Sequence, residues 1–218
     1  MKFYKLYRDP GKRNKLFAEG IGIQDPPSVR INCPVCGGIW GKTTDPDFRP
    51  VIAMMRTNFP DFFSYYIFDL ISEKARNTLK NAGITGFTTR RATVLSKAQL
   101  DKDILKELMR RGGVNVNKIA EDPPPYYYLE VTGKAKLHAK SEIMVRTCTA
   151  CGHIHLSTPG CSYVDQDHPK YVDIQTWDGS DFFLAEYFPA LVFCSERLVS
   201  LVKEAGLTGA CFEEVEGI

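Results

Sequence analysis

The chain has 218 residues, of which 44% are hydrophobic and 25% are charged. This composition is typical of a globular protein with a hydrophobic core and argues against a disordered or fibrous chain. The formal net charge is only +2, whereas a dedicated nucleic-acid-binding domain usually carries a strongly basic face. Charge alone therefore makes nucleic acid an unlikely partner.

The N-terminal segment predicts a strand rather than a targeting signal. The residues "KFYKLY" alternate aromatic and polar side chains and lack the apolar core of a signal peptide. No stretch approaches the run of about 18 apolar residues that a membrane span needs. The cysteine count is seven, and an odd number argues against a disulfide framework. We therefore expect a cytoplasmic protein with reduced thiols and no membrane partner.

Further short runs along the chain are rich in β-branched and aromatic residues, which predicts many strands. In chain order they are "SVRIN", "VIAMM", "YYIFDLI", "YYYLEV", "EIMVRT", "YVDIQTW" and "ALVFC".

An ordered set of motifs occurs twice. A Cys-x-x-Cys-Gly motif is followed by Asp-Phe-Phe, then by a helix that begins Ser-Glu, and then by Ala-Gly-x-Thr-Gly. The helical segment reads "SEKARNTLKNAGITG" in the first copy and "SERLVSLVKEAGLTG" in the second. The same order of motifs in both copies predicts an internal duplication, with halves near 29–95 and 144–218.

Each repeated helix carries its own start and stop signals. Ser72 and Ser195 are suitable N-caps, and the glutamate after each favours the positive end of the helix dipole. Gly83 and Gly206 supply the left-handed residue that ends a helix. The residues predicted to face the core are Ala75, Leu79 and Ala82 in the first copy and Leu198, Leu201, Val202 and Ala205 in the second.

Between the halves, "SKAQLDKDILKELMRRGG" (96–113) predicts one further helix, with a capping box of Ser96 and Gln99. The segment "EDPPPYYY" (121–128) predicts an extended linker, because proline cannot continue a helix or a central strand. We therefore expect an α+β fold of antiparallel sheets with few helices. The expected architecture is internally duplicated, with two lobes joined through the cysteine motifs. The predicted segments are an N-terminal lobe (1–95), a helical connector with a Pro-rich linker (96–143) and a C-terminal lobe (144–218).

The two Cys-x-x-Cys-Gly motifs predict a metal site. Two cysteines at this spacing can reach one metal from a tight turn, and tetrahedral Zn²⁺ with four thiolates needs two such zinc knuckles. Cys33 and Cys36 supply one pair, and Cys148 and Cys151 supply the other. In a duplicated chain, the two half-sites would meet in one structural zinc site. Such a site is closed, because four thiolates leave no position for water.

Three other interpretations of the cysteines stay open. A redox Cys-x-x-Cys usually opens a helix, whereas glycine, β-branched and turn residues follow both motifs here. A local site in the second half would use Cys148, Cys151, His153, His155 and Cys161, and it would leave the first pair without a role. The cysteines could also bind no metal.

Catalytic motifs are missing from the sequence. It lacks the signatures of zinc proteases, zinc deaminases, serine hydrolases and nucleotide-binding loops, and no nucleophile, base and orienting group assemble. His138 and His168 are isolated and are expected at the surface. Cys161, Cys194 and Cys211 are expected to be core or turn thiols. We therefore expect a protein that is not an enzyme.

Two Cys-x-x-Cys-Gly motifs half a chain apart resemble the double-CXXCG motif family, paralogous proteins best represented in myxobacteria. The C-terminal "ALVFCSERLVSLVKEAGLTGACFEEVE" is similar to the ending of that family and of a related family of bacterial immunity proteins. The resemblance implies that Cys33, Cys36, Cys148 and Cys151 are the metal ligands. It also implies an immunity protein of a polymorphic toxin system, whose partner is a cognate protein toxin; a nuclease is the first expectation for that toxin.

The family does not assign the residues that contact the toxin. Candidate contacts are the acidic C-terminus (Glu213, Glu214 and Glu216), the loop "DGSD" and the segment "EDPPPYYY". Two other classes of protein stay open. A zinc-ribbon nucleic-acid-binding protein would present Arg30, Lys42 and Arg146 to phosphates. A metalloenzyme would need an open metal position near His153 and His155.

Overall fold

The computed structural model describes residues 1–9, 11–12, 15–23, 26–65, 68–110, 115–161, 164 and 169–218. The α-helices in this part of the chain are α1 (Glu73–Asn81), α2 (Lys102–Arg110) and α3 (Glu196–Glu204). The strands are β1 (Lys2–Arg8), β2 (Gly11–Lys12), β3 (Lys15–Leu16), β4 (Glu19–Gly22), β5 (Ser28–Asn32), β6 (Ile39–Thr43), β7 (Ile52–Met55), β8 (Phe62–Tyr65), β9 (Phe68–Ser72), β10 (Phe87–Arg91), β11 (Val94–Leu95), β12 (Tyr126–Val131), β13 (Gly133–Leu137), β14 (Met144–Thr147), β15 (Ile154–Ser157), β16 (Tyr171–Asp173), β17 (Phe182–Ala185), β18 (Phe188–Ser195) and β19 (Ala210–Gly217). Short 3₁₀ turns lie at Lys97–Gln99, Val116–Lys118, Ala139–Ser141 and Ile174–Thr176.

The predicted α+β class, with mostly antiparallel sheets and few helices, is confirmed. Six strands close a barrel in the order β1–β18–β17–β13–β16–β19, and a four-stranded sheet has the order β10–β12–β9–β8. A three-stranded sheet (β11–β7–β4) and the two-stranded pairs β2–β3, β5–β6 and β14–β15 complete the described sheets. Parallel pairing is confined, within these sheets, to β7 with β11, β13 with β17 and β16 with β19.

When the strand that precedes each half, β1 or β12, is counted with it, the two halves exchange strands. Strand β1 lies between β18 and β19 of the second half, and β12 lies between β9 and β10 of the first. The registers match, since Phe3 lies opposite Ser195 just as Tyr126 lies opposite Ser72. Strand pairing therefore crosses the boundaries between the three predicted segments. The division of the chain into these segments stays a prediction.

The exchange explains the segment "EDPPPYYY". The prolines precede a central strand, β12, which begins at Tyr126, so the extended linker is shorter than predicted. Tyr126 and Tyr128 are buried, and their hydroxyls donate hydrogen bonds to the carbonyl oxygens of Pro60 and Pro50. Alternate tyrosines point into the core because side chains alternate across a strand.

Two predicted strands are divided in the structure. "YYIFDLI" spans the end of β8 and most of β9, which pair as a hairpin; its residues 66 and 67 lie outside the described residues. "YVDIQTW" forms β16 and then a 3₁₀ turn at Ile174–Thr176, where the Asp173 side chain accepts a hydrogen bond from the Gln175 amide. This local hydrogen bond stabilises a turn in place of further strand.

The repeated helices begin and end where the sequence predicts. The Ser72 and Ser195 hydroxyl oxygens accept hydrogen bonds from the third following amides, at 3.1 and 3.2 Å. Gly83 and Gly206 have φ angles of 64° and 59°, which is the left-handed conformation that ends each helix. The second helix also buries Val199, which the predicted face omits.

The connector helix is shorter than predicted. The capping box of Ser96 and Gln99 is present, but it caps the 3₁₀ turn Lys97–Gln99. Leu100 then adopts extended backbone angles, and α2 begins only after Asp101, whose carboxylate accepts a hydrogen bond from the Ile104 amide at 2.7 Å. Aspartate and serine are equally good N-caps, so both positions could start a helix, and the α-helix starts at the second of them. The predicted end at residues 112 and 113 lies outside the described residues.

The helices of both copies pack into one hydrophobic cluster. Leu79 of α1 and Val202 of α3 are both buried there, together with Phe62 and Phe182 from the two Asp-Phe-Phe motifs. Burial of apolar surface is the main favourable term in folding. The halves are therefore joined by a shared core as well as by exchanged strands.

A buried carboxylate from each half binds the other half. The Asp181 carboxylate accepts hydrogen bonds from the Thr85 amide (3.0 Å) and hydroxyl (3.2 Å) across the halves, and from the Ser195 hydroxyl (2.6 Å). Arg197 adds an ion pair at 3.0 Å. These contacts use the aspartate, the serine and the threonine of the repeated motifs.

The first half repeats this arrangement. The Asp61 carboxylate accepts hydrogen bonds from the Thr208 amide (3.0 Å) and hydroxyl (3.2 Å), and from the Ser72 hydroxyl (2.7 Å). Lys74 lies 3.6 Å from this carboxylate. The repeated motifs are therefore a reciprocal set of contacts that joins the two copies.

The last glycine of each Ala-Gly-x-Thr-Gly motif allows this close approach. A β-carbon at Gly86 would lie 2.0 Å from the Phe182 carbonyl oxygen, and one at Gly209 would lie 2.1 Å from the Phe62 carbonyl oxygen. Both glycines also have positive φ angles, of 82° and 86°. Any side chain here would push the halves apart.

We expect Gly86→Ala to lower the free energy of unfolding by about 3 kcal/mol or more, because backbone strain and a backbone clash add. Gly179→Ala is the matched control, since its φ of 85° is similar but nothing lies within 4 Å of the new β-carbon. Gly179→Ala should lower the free energy of unfolding by only about 1 kcal/mol. Urea unfolding measures both values. Equal losses would contradict the close approach.

Candidate metal centre

Each cysteine pair lies at the tip of a two-stranded hairpin. In the hairpin of β5 and β6, the Cys33 amide donates to the Gly38 carbonyl oxygen at 3.0 Å, and the Gly37 amide donates to the Cys33 carbonyl oxygen at 2.9 Å. Gly37 directly follows Cys36 and has a φ of 68°, a left-handed conformation that glycine adopts without strain. The turn directs the sulfurs of Cys33 and Cys36 to the same side.

The hairpin of β14 and β15 has the same hydrogen bonds. The Cys148 amide donates to the His153 carbonyl oxygen at 2.8 Å, and the Gly152 amide donates to the Cys148 carbonyl oxygen at 2.8 Å. Gly152 has a φ of 71°. The two knuckles therefore have one backbone design, as the duplication predicts.

The four sulfurs meet in one site. The Sγ atoms of Cys33 and Cys148 are 3.9 Å apart, and those of Cys36 and Cys151 are 3.8 Å apart. All four lie within 4.8 Å of one another and could hold a metal ion. A tetrahedron with metal–sulfur bonds of about 2.3 Å has sulfur–sulfur edges of about 3.8 Å. The cluster therefore has the size that a tetrahedral metal–thiolate centre needs.

Backbone amides favour the thiolate form of one cysteine in each pair. The Cys36 and Val35 amides lower the pKa of the Cys33 thiol to about 7, and the Ala150 and Cys151 amides lower the pKa of the Cys148 thiol. Hydrogen bonds to a charged group stabilise the charged form. These two thiols therefore ionise most readily before a metal binds.

The second cysteine of each pair holds its proton more strongly. The Gly38 amide lowers the pKa of Cys36, but burial and the Cys33 and Cys148 sulfurs outweigh it, so the pKa is raised. Burial above all, with the neighbouring thiols, raises the pKa of Cys151 to about 12. A metal ion that binds all four sulfurs would therefore release protons on binding.

An aromatic contact also joins the two hairpins. The indole ring of Trp40 stacks on the His153 ring, with centroids 4.1 Å apart and planes 20° apart. The His153 ring in turn meets the edge of His155 at 4.7 Å. The sequence analysis does not predict this contact. The sequence signal for it is position: Trp40 and His155 occupy equivalent places directly after the two knuckles.

The local site considered for the second half does not form. The cluster of possible ligands found among the described residues consists of the four cysteines, without His153, His155 or Cys161. His155 Nε2 is buried and has no hydrogen-bond partner within the described part of the chain. Cys161 lies in a turn, where its amide donates to the Thr158 carbonyl oxygen.

The remaining histidines and cysteines have structural surroundings. His138 caps a 3₁₀ turn, with Nδ1 accepting from the Lys140 amide at 3.2 Å. His168 lies outside the described residues. Cys194 is buried in the core, where burial raises its pKa, and Cys211 is exposed.

Several predicted toxin contacts are not accessible. Asp181 of the "DGSD" loop is buried against Thr85, and the tyrosines that begin β12 are largely core residues. The acidic C-terminal side chains are exposed, and Glu213 and Glu214 form ion pairs with Lys5 and Lys2. Of the predicted contact sets, the acidic C-terminus is the one whose side chains face solvent throughout.

A cavity of about 760 Å³ lies beside the hairpin of β5 and β6. Ser28, Gly41 and Thr43 of the hairpin form one wall. Aromatic side chains form much of the rest, including Phe68, over whose ring the Arg49 guanidinium lies at 5.8 Å. The cavity is therefore continuous with the base of this hairpin.

Fold and site together define a duplicated α+β protein in which a four-cysteine cluster, able to hold a metal ion, links the two copies. No family model matches the chain, and no curated protein sequence matches it significantly. None of the described helices is long and apolar enough to cross a membrane.

Proposed function

We propose that the chain is a zinc-stabilised immunity protein that binds and neutralises a cognate protein toxin in the cytoplasm. One observation carries this proposal. The two Cys-x-x-Cys-Gly motifs, on which the resemblance to the double-CXXCG motif family depends, contribute two sulfurs each to one cluster. The motifs that support the family resemblance therefore also form the single four-cysteine cluster.

Zinc is the metal that this cluster fits best. Four cysteine sulfurs at the tips of two knuckles are a common donor set for structural Zn²⁺, and the sulfur separations of 3.8 and 3.9 Å suit its tetrahedral geometry. Amides directed at Cys33 and Cys148 would offset the negative charge of the thiolates. Zinc held in this way supplies a crosslink between the two hairpins.

The proposed site performs no reaction. All four metal positions would be occupied by Cys33, Cys36, Cys148 and Cys151, which leaves none for water or substrate. What the protein would then contribute is a stable scaffold and a complementary surface. That is the requirement for an immunity protein, which must distinguish its own toxin from related ones through a few energetically dominant contacts.

The experiment is a selection followed by a growth test. The purified, zinc-loaded chain is used to select binders from a library that displays the coding fragments of its own genome, so that silent genes are included. We expect one insert that binds at high salt, arrests the growth of a host when expressed, and no longer does so when this chain is co-expressed. A selected partner that is harmless, or whose toxicity the chain does not relieve, would refute the immunity function.

The exposed cations Arg30, Lys42 and Arg146 favour a second candidate function, a zinc-ribbon nucleic-acid-binding protein. Binding carried by phosphate contacts weakens steeply as salt rises, because counterions are released. Titration of a mixed-sequence DNA or RNA oligonucleotide at two salt concentrations tests this candidate. Tight, salt-sensitive binding would favour it over the immunity function, and no binding at low salt would remove it.

A further inference from the structure

We propose that the two metal hairpins, Ser28–Thr43 and Met144–Ser157, form the surface on which the partner docks. The partner we infer is a folded protein whose docking surface combines apolar side chains with carboxylates. This inference rests on the proposed function, since it names the face that the toxin would contact.

Exposed apolar side chains concentrate on the metal hairpins. Of the nine large hydrophobic residues that are exposed in the described part of the chain, six lie on these two segments. Ile39 is 56% exposed and Ile154 is 40% exposed, at equivalent positions three residues after the second cysteine of each knuckle. Side chains alternate along a strand, so Ile39 and Val29 lie on opposite faces of their hairpin, as do Ile154 and Met144. Both faces of each metal hairpin therefore carry exposed apolar side chains, and a concentration of such side chains commonly marks a protein interface. The six residues are Val29, Val35, Ile39, Met144, Val145 and Ile154.

The metal cluster makes this surface suitable for recognition. Among the strands that the structure describes, each hairpin pairs with no third strand, and a two-stranded hairpin is marginally stable alone. A metal that joins the four sulfurs would hold both hairpins in one arrangement, assisted by the stack of Trp40 on His153. A surface ordered before binding loses less conformational entropy on association.

The charges on the metal hairpins indicate which charge the partner's docking surface carries. The charged residues of the four strands β5, β6, β14 and β15 are Arg30, Lys42 and Arg146, and all three are exposed cations. Cations interspersed with exposed apolar side chains complement a partner surface that carries acidic as well as apolar residues. The aliphatic side chains favour a protein over a nucleic acid, because phosphates and bases gain little from valine, isoleucine and methionine.

The cavity beside the first metal hairpin extends the same surface. Ser28, Gly41 and Thr43 belong to the hairpin and also line the cavity of about 760 Å³. Phe48 and Phe68 provide apolar walls there. Binding energy at interfaces is concentrated where an anchoring side chain fills such a pocket. The partner would therefore place one apolar side chain in the cavity while its docking surface covers the hairpins.

The test compares three single variants with the wild-type chain, all in the zinc-loaded form. Ile39→Glu and Ile154→Glu put a carboxylate in place of an exposed apolar side chain, one in each hairpin. Met109→Glu is the matched control, because Met109 is 55% exposed on α2, outside the metal hairpins. Each chain must hold the same amount of zinc as the wild type, which shows that the cluster is intact.

The measurement is the affinity for the partner that the wild-type chain selects from the genomic library. We expect each hairpin variant to bind at least about tenfold more weakly and Met109→Glu to bind as the wild type does. Arg30→Glu and Arg146→Glu should slow association, whereas Lys102→Glu on α2 should not.

Other outcomes would overturn the inference. Unchanged affinity of both isoleucine variants, with growth rescue intact, would place the toxin elsewhere and leave the immunity function standing. If the wild-type chain instead binds a mixed-sequence oligonucleotide and Arg30→Glu abolishes that binding, the surface recognises phosphate. If it forms dimers that Ile39→Glu dissociates, the occupant is a second copy of the chain. A selection that returns no partner would overturn the inference and the proposed function together.

Discussion

Replacement of Cys33 by serine is expected to remove the metal from the whole chain and to loosen both metal hairpins, including the one without the substitution. A single ion would bridge the halves, so three remaining sulfurs would not retain it at a chelator concentration that the wild type withstands. Because the metal binds the folded state, its loss should lower the free energy of unfolding by about 3 kcal/mol or more. Metal analysis and hydrogen exchange of the β14–β15 amides measure the two effects.

The control is Cys211→Ser, which changes an exposed thiol outside the cluster and should keep the metal and the exchange protection. Cys148→Ser should reproduce the effect of Cys33→Ser, with the loss of protection seen in β5 and β6. If Cys33→Ser keeps a full complement of metal, or loosens only its own hairpin, the cluster is not a shared site.

Asp181→Ala is expected to lower the free energy of unfolding by about 3 kcal/mol, because it removes a buried carboxylate together with the hydrogen bonds that it accepts. The donors are the Thr85 amide and hydroxyl, the Ser195 hydroxyl and the Arg197 guanidinium. Asp61→Ala should be destabilising to a smaller extent, because its cation, Lys74, lies at 3.6 Å, compared with 3.0 Å for Arg197. Urea unfolding at neutral pH measures both variants.

Asp122→Ala is the control for this pair, since Asp122 is exposed, and its effect should stay within about 0.5 kcal/mol. Thr85→Val removes one donor and should lower the free energy of unfolding by less than Asp181→Ala does. In the variant that combines both substitutions, the loss should be smaller than the sum of the two single losses. Additive losses in the combined variant would mean that Asp181 and Thr85 do not act as a pair across the halves.

The sequence predicts the local elements of this fold well because their signals are local. Serine N-caps, left-handed glycines and the knuckle turns each depend on a few neighbouring residues, and the structure has them at the predicted positions. The strand predictions that fail are those where one run is divided between two elements, as in "YYIFDLI", which contributes to both β8 and β9. A continuous apolar run does not reveal whether it turns back on itself.

Long-range pairing is what the sequence leaves open. Motif order predicts the duplication. It does not predict the exchange of β1 and β12 between the halves, because the pairing of these strands depends on residues far apart in the chain. The same holds for Asp61 with Thr208: both residues stand in repeated motifs, and their contact is made only when the two copies pack together. The cysteine cluster was the exception, since a half-site needs a second half-site and the chain contains one.

X-ray absorption spectroscopy at the zinc K-edge, on the chain purified without added metal and combined with metal analysis, tests the central claim most directly. A shared structural site predicts one zinc per chain, with four sulfur ligands at about 2.3 Å and no nitrogen or oxygen ligand. Mixed sulfur and nitrogen ligation would instead favour a local site with histidine. A chain with no zinc, or with two, would contradict the single cluster that joins the halves.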